Sequence, residues 1–300
     1  MQLGFRMIYY WLIATGLWLL LAPITAVQAE LLLSRHFASQ ALGRAMNYSI
    51  YLPPGYDSKS EHTYPTVYLL HGVGDNENAW PKLGKVEATM ERLIATEELP
   101  PMIVVAPDTG TSWLVDSADV GGPGDYARAV RDDLVAHIDN TYRTIPERRG
   151  RAIAGNSMGG FGALRLAFEK PDIYAAVAGL SSALWLRLED DSVLNTHQEK
   201  IFQGSFGTPF DAARFRRLSP ISLLDKVKRY NGRLGILLTA GDDDVFRAYR
   251  STTIFYSMLR DADIPAELRI VDGGHTWKHW AQVLPLVLKF FAEEFKRYDK

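Results

Sequence analysis

The sequence predicts an α/β fold, with a mostly parallel central sheet and helices on both faces. Three observations predict it. Short β-branched or aromatic runs alternate with longer amphipathic runs along most of the chain. Several of the short runs are almost entirely apolar, as strands covered on both faces must be. No internal repeat, low-complexity tract or long linker interrupts the alternation. Strand–helix alternation of this kind places parallel strands in one sheet with their crossover helices outside it.

The N-terminal residues read as a leader and not as part of that sheet. Arg6 precedes an apolar run from Met7 to Leu21, followed by Ala22-Pro23 and Ala26-Val27-Gln28-Ala29. A positive start, an apolar stretch and small residues before a cut site are the marks of an export signal. Val27 and Ala29 suit the positions three and one before cleavage, which places the cut after Ala29. Residues 1–29 are then a signal peptide and 30–300 a single catalytic domain, secreted or periplasmic, with no stable membrane association. A retained membrane anchor is the alternative, since the run approaches spanning length.

The candidate strands are Asn47–Leu52, Thr66–Leu70, Met102–Ala106, Ala152–Ala154, Ala175–Leu180, Leu234–Thr239 and Glu267–Val271. Helical periodicity falls in Lys85–Thr96, Tyr126–Tyr142, Phe161–Phe168, Tyr249–Leu259 and Trp280–Phe295. In the second of these, Ala129, Val130, Leu134, Ile138 and Tyr142 recur on one face. Residues 181–231 break the rhythm. They hold a turn-rich Gly204–Pro209 and mixed polar helices, and read as an insertion over the C-terminal edge of the sheet, where ligands bind in such folds.

Composition narrows the function. The 300 residues carry a formal net charge of -2, with 47% apolar and 23% charged residues. Nothing electrostatic points to nucleic acid or an anionic membrane as partner. Cys is absent, which removes disulfides, a Cys nucleophile and thiolate metal sites together.

Gly155-Asn156-Ser157-Met158-Gly159 fits G-x-S-x-G. That pattern holds a serine at the tip of a sharp strand-to-helix turn, where the neighbours two residues away must be small. The flanks agree: Arg151–Ala154 reads as a short strand, and Gly160–Phe168 opens a helix. The helix N-terminus aims free N–H groups at developing negative charge. Ser157 is the candidate nucleophile; a structural turn serine is the plainer reading.

Hydrolases built on this turn carry serine, acid and histidine in that order along the chain. After Ser157 the histidines are His197, His275 and His279. His197 lies in the insertion, ahead of any acid-bearing strand. His279 starts the last helix and reads as an ordinary packed residue. His275 follows Glu267–Val271 through a short Gly-rich loop and is the candidate base. Leu234–Thr239 runs into Ala240-Gly241-Asp242-Asp243-Asp244. A turn at Gly241 brings the third aspartate over the sheet edge, so Asp244 is the candidate acid, with Asp243 and Asp242 as alternatives. Asp272 stands too close in sequence to His275 for a reach across the sheet. Three aspartates could bind a cation; a solvated turn with one member recruited is preferred, so no metal and no organic cofactor is expected.

Two backbone N–H groups should face the oxyanion. One belongs to Met158. The other is placed at Val73, in His71-Gly72-Val73-Gly74 after the strand Thr66–Leu70.

Four segments carry a family resemblance: Tyr51-Leu52-Pro53-Pro54-Gly55-Tyr56, Tyr68-Leu69-Leu70-His71-Gly72, Ala154-Gly155-Asn156-Ser157-Met158-Gly159-Gly160 and Gly273-Gly274-His275-Thr276-Trp277. In this order they resemble the esterase D, or putative esterase, family of α/β hydrolases. Feruloyl esterases, acetyl xylan esterases, S-formylglutathione hydrolases and mycolyltransferases belong to that group. The resemblance runs from about Arg44 to the C-terminus. It implies an α/β-hydrolase fold, a triad of Ser157, Asp244 and His275, and an oxyanion hole at Val73 and Met158. Asn156 stands where relatives often have an apolar residue or His, and Thr276 where some have Asp; both bear on the leaving group and leave the triad alone. The export signal and the lack of Cys resemble the carbohydrate-esterase branch more than the cytosolic formylglutathione branch.

The expectation is an exported serine carboxylesterase acting on small-molecule or carbohydrate esters. An acyltransferase using the same triad is the alternative. A non-catalytic binding protein would be favoured by an incomplete triad, whereas every member has a candidate here. Trp80, Trp113, Trp185, Trp277 and Trp280 cluster near the proposed site loops. Trp113 and Trp277 are taken as substrate contacts.

Overall fold

The structure is a computed structural model that describes residues 28–56, 61–185 and 199–298. One eight-stranded sheet runs through it. The strands are β1 (Glu30–Ser39), β2 (Arg44–Leu52), β3 (Thr66–Leu70), β4 (Ile103–Pro107), β5 (Arg151–Asn156), β6 (Ala176–Leu180), β7 (Gly235–Gly241) and β8 (Glu267–Val271). Their order across the sheet is β1-β2-β4-β3-β5-β6-β7-β8. The β1–β2 and β2–β4 pairs are antiparallel and all others are parallel. Every residue of β3 to β7 is buried. This explains the nearly unbroken apolar runs at those positions.

Alternate residues of each strand feed two cores. On one face Val67, Leu69, Ala152 and Ala154 pack against the helices Val86–Ala95 and Trp277–Lys296. On the other, Tyr68, Leu70 and Ile153 pack with Val130, Leu134 and Ile138, with the helix Met158–Glu169, and with Phe255 and Leu259 of the helix Ala248–Asp261. The helix Met158–Glu169 is buried from Met158 to Phe168, so it runs through the interior behind the turn at Ser157.

The seven expected strands and five expected helices are present; Thr66–Leu70 and Glu267–Val271 coincide with the expected bounds and the others have shifted ends. The helix expected over Tyr126–Tyr142 is divided into Tyr126–Arg128, a π-helical segment Ala129–Leu134, and Val135–Thr141. One strand was not expected. β1 directly follows the expected cut, and its Leu31-Leu32-Leu33 reads as a tail of the apolar leader. It is a mostly exposed edge strand with a register shift between Leu32 and Arg35, so it lacks period-two alternation. The leader reading itself falls on residues 1–27, outside the described residues. Among the described residues no helix is long and apolar enough to cross a membrane.

The described part of the segment 181–231 contains no strand. It holds the helices Ala212–Leu218 and Leu224–Arg229. Phe202, Phe206, Phe210 and Phe215 form an aromatic cluster there, and Phe161 of the helix Met158–Glu169 joins it. His197 lies outside the described residues.

Candidate active site

β3 is flanked by β4 on one side and β5 on the other, so the chain switches direction across the sheet at that pair. Ligands of open α/β sheets bind beyond the strand C-termini at such a point. The loop after β3 and the turn after β5 meet there. A methyl group on Gly72 would lie 3.4 Å from Ser157 Cβ and 3.1 Å from Asn156 Nδ2.

Ser157 sits between β5 and the helix Met158–Glu169 with φ 55° and ψ −117°, a strained conformation for a residue with a Cβ. Its neighbours hold it there. The Ser157 N–H donates to Leu180 O at 2.9 Å, and Ser157 O accepts from Phe161 N and Ala183 N, each at 3.1 Å. The end of β6 thus braces the turn, which lets the strain persist. The turn also needs a bare backbone on both sides: a Cβ on Gly155 would overlap the Gly159 carbonyl, and one on Gly159 would overlap the carbonyl oxygens of Leu70 and His71.

The structure brings Ser157, His275 and Asp244 together. Ser157 Oγ lies 3.0 Å from His275 Nε2, and His275 Nδ1 lies 2.7 Å from Asp244 Oδ2. Asp244 is 3% exposed. Its other carboxylate oxygen accepts the Phe246 N–H at 2.9 Å. Burial alone would raise this carboxyl, but the His275 hydrogen bond and charge and the Phe246 and Ala248 N–H groups outweigh it. They hold Asp244 below the ordinary carboxylate range. It therefore stays an anion, able to orient an imidazole and to stabilise its cation.

The other aspartates lie elsewhere. Asp242, Asp243 and Asp272 are exposed and stand near one another. Asp242 accepts the Gly273 N–H at 3.1 Å, and the Asp243 N–H donates to Gly273 O at 2.9 Å. These contacts tie the acid loop to the histidine loop without touching the imidazole. His279 is buried against the same loop, with no hydrogen bond to its ring nitrogens among the described residues. Burial pushes its pKa down.

Met158 is the first residue of its helix, so its N–H has no intrahelical acceptor. Val73 is exposed on the turn after β3. The sequence alone did not reveal what holds that turn, which is His71. The ring is buried, its Nδ1 contacts Gly72 O at 2.8 Å, and its Nε2 accepts the Thr109 N–H at 2.9 Å. A carbonyl only accepts and a backbone N–H only donates, so the proton is on Nδ1. His71 thus pins the Gly72 carbonyl to the loop beyond β4. The sequence signal for it is the histidine of His71-Gly72 at the end of β3.

Of the two tryptophans expected to touch substrate, Trp113 lies in the core. Trp113 is 1% exposed, packs against Phe161, Trp185, Phe202 and Phe206, and donates its indole N–H to Ile201 O at 2.9 Å. It is part of the core behind the nucleophile helix and presents no open ring face. Trp277 donates its N–H to Asp75 Oδ2 at 3.2 Å, and its ring meets Trp80 and Trp280 edge-on. Its polar handle is therefore committed within the protein. Among the described residues, Val73, Val245 and Phe246 are exposed apolar residues on the site loops. The Phe246 ring meets the His275 ring at 4.8 Å.

Comparison with known proteins agrees with this architecture. The family model described as "Putative esterase" matches residues 39–291. An endo-1,4-beta-xylanase/feruloyl esterase of Xylanibacter ruminicola is 30% identical over 158 residues, covering 50% of this chain and 21% of that protein. An esterase of Mycobacterium tuberculosis is 29% identical over 261 residues, covering 81% of this chain and 55% of that protein. The chain thus spans from about a fifth to about half of the length of these curated relatives. A solved ferulic acid esterase is similar with a TM-score of 0.73 at 26% identity, over 90% of this chain and 99% of that one. With its family model covering most of the sheet and every loop of the site, the chain belongs to the putative esterase family.

Proposed function

We propose that this protein is an exported serine carboxylesterase in which Ser157 is the nucleophile, His275 the general base and Asp244 the group that orients it. The observation that carries the reading is the continuous relay from Ser157 Oγ through His275 to Asp244, at 3.0 and 2.7 Å. His275 Nε2 takes the hydroxyl proton as Ser157 Oγ bonds to the acyl carbon. Negative charge moves to the carbonyl oxygen, where the Val73 and Met158 N–H groups receive it. The tetrahedral adduct collapses, the C–O bond to the alcohol breaks, and His275 returns the proton to the leaving oxygen. Water then repeats the sequence on the acyl-enzyme, releasing the acid and restoring Ser157. Asp244 stays ionised and fixes the Nδ1–H tautomer throughout. Every step is a proton or acyl transfer, and the side chains named suffice for each.

Esters of carbohydrates or of aromatic acids are the substrate class we favour. The name of the Xylanibacter relative, at 30% identity, supports it. Export rests on the leader-like N-terminal sequence. The decisive experiment compares wild type with Ser157→Ala on a short-chain p-nitrophenyl ester, on a feruloyl ester and on an acetylated sugar. Wild-type turnover that disappears in the variant supports the reading. Equal turnover in both proteins removes Ser157 from the mechanism.

A further inference from the structure

The loop that carries Val73 and the loop that carries His275 come from distant strands. β3 and β8 have β5, β6 and β7 between them, which is roughly 19 Å of sheet at about 4.8 Å per strand. No strand pairing fixes one loop against the other. The chemistry nevertheless needs a fixed distance, because imidazole and oxyanion donors act on the same carbonyl group.

One polar contact spans the two loops. The Trp277 indole N–H donates to Asp75 Oδ2 at 3.2 Å, across 202 positions of sequence. Asp75 stands two residues beyond Val73, and its own N–H donates to Gly72 O at 3.4 Å. Trp277 stands two residues beyond His275. Ring contacts run along the same line. Trp80 donates its N–H to Leu70 O, at the end of β3, at 3.0 Å. It meets Trp277 at 5.1 Å, Trp277 meets Trp280 at 5.2 Å, and Trp280 meets His275 at 5.0 Å, all edge-on. Asp75 is not a freely solvated turn residue. Burial pushes its carboxyl up, against the lowering effects of His71 and the Trp277 N–H.

We propose that Asp75 and Trp277 form a clasp that sets the position of the oxyanion loop relative to His275, and that both are positioning residues for ester hydrolysis. The proposal rests on the esterase reading and deepens it. Neither side chain is asked to touch the reacting atoms.

The test uses the full chain and two readouts: hydrolysis of a p-nitrophenyl ester, and the rate at which a fluorophosphonate labels Ser157. Asp75→Ala removes the acceptor. Trp277→Phe removes the donor and keeps a ring between Trp80 and Trp280. Each should lower kcat roughly ten- to a hundredfold, the scale of an ångström-sized misplacement. KM should change little, and labelling should slow in parallel. Asp75→Asn keeps a carbonyl acceptor and should restore most of the rate. The double variant should be no worse than either single, as expected for two halves of one contact. If Asp75→Ala does not fold, Asp75→Asn against Trp277→Phe carries the same comparison. Asp75→Ala and Trp277→Phe variants that match wild type in kcat and labelling overturn the clasp, and so do losses that add in the double variant. A wild-type chain that neither labels nor hydrolyses esters overturns the esterase reading and the clasp with it. Normal wild-type labelling with equally fast labelling of Trp277→Phe overturns the clasp alone.

Discussion

Gly155 and Gly159 lie across the Ser157 turn from each other, so close that a methyl group on Gly155 would overlap the Gly159 carbonyl. The contact joins the last turn of β5 to the first turn of the helix that follows, and it sets how sharply the chain reverses at Ser157. A Cβ on Gly155 would enter the Gly159 carbonyl; one on Gly159 would enter the carbonyls of Leu70 and His71. Backbone is the obstacle in both cases, so no side-chain rotation relieves it. Gly155→Ala and Gly159→Ala should each lose at least about 1–3 kcal/mol, the usual cost of overpacking, together with fluorophosphonate labelling. Gly274→Ala is the control, because its nearest neighbour would be Asp243 O at an ordinary 3.5 Å. Thermal unfolding should leave the control close to wild type. Equal melting of all three variants would sink the steric argument.

The backbone of Ser157 gives a second expectation, separate from chemistry. At φ 55° the residue bears strain that any side chain with a Cβ shares, typically about 1–3 kcal/mol. Ser157→Ala removes the hydroxyl and keeps that strain. Ser157→Gly removes both, at the expense of about 0.5–1 kcal/mol of extra chain entropy in the unfolded state. Both variants should be inactive. The glycine variant should melt above the alanine variant by a few degrees, since each kcal/mol shifts Tm by about 2–4 °C in a domain of this size. A glycine variant that melts below the alanine variant would show that the turn is relaxed.

The sheet and the three converging side chains were legible because their signals are local. Buried parallel strands must be apolar along their length, a nucleophile turn needs glycines at fixed offsets, and chain order narrows the acid and the base to a few residues. What was illegible depends on tertiary placement. β1 carries no alternation because it is an exposed edge, and its leucines follow closely on the apolar N-terminal run of the sequence. Trp113 stands near the site loops in sequence, but proximity in sequence does not say which way an indole faces. Trp113 turns into the core, while Trp277 is claimed by Asp75 from a loop 202 residues away. His71 is illegible for a related reason: its role depends on Thr109, which strand β4 delivers to it.

Asp244 and Asp243 are neighbours in sequence with opposite surroundings. Asp244 is buried against His275, and Asp243 is exposed. Asp244→Asn keeps the shape but offers the imidazole the wrong hydrogen-bonding partner, so kcat should fall by about 10⁴-fold. Asp243→Asn should leave kcat near wild type. A pH signature accompanies this. The folded-state pKa of Asp244 is held below the ordinary value of 3.8. Its charged form therefore adds stability at pH values above 3.8, and that stability is lost as pH falls through the lowered folded value. The difference in unfolding free energy between wild type and Asp244→Asn should shrink with acidification below 3.8. A difference that stays constant through that range would remove the charge–imidazole interaction from the account.

Glu294 supplies the opposite case, far from the catalytic relay. Its carboxyl is 1% exposed on the last helix, facing Arg233 at 3.1 Å and Arg297 at 2.8 Å. Burial pushes its pKa above the ordinary 4.5, and the Arg233 charge and hydrogen bond offset only part of that rise. The folded state then holds this proton more tightly than the unfolded chain does. Its contribution to stability declines as pH rises from 4.5 through the raised folded value, and is flat beyond it. Glu294→Gln removes the titration and keeps the shape, so the variant should gain on wild type across that window while ester turnover stays the same. Urea unfolding of both proteins at a series of pH values reads the difference directly. A variant that loses ground as pH rises would mean that the two arginines more than repay the burial of the charge, which reverses the sign assigned to this pair.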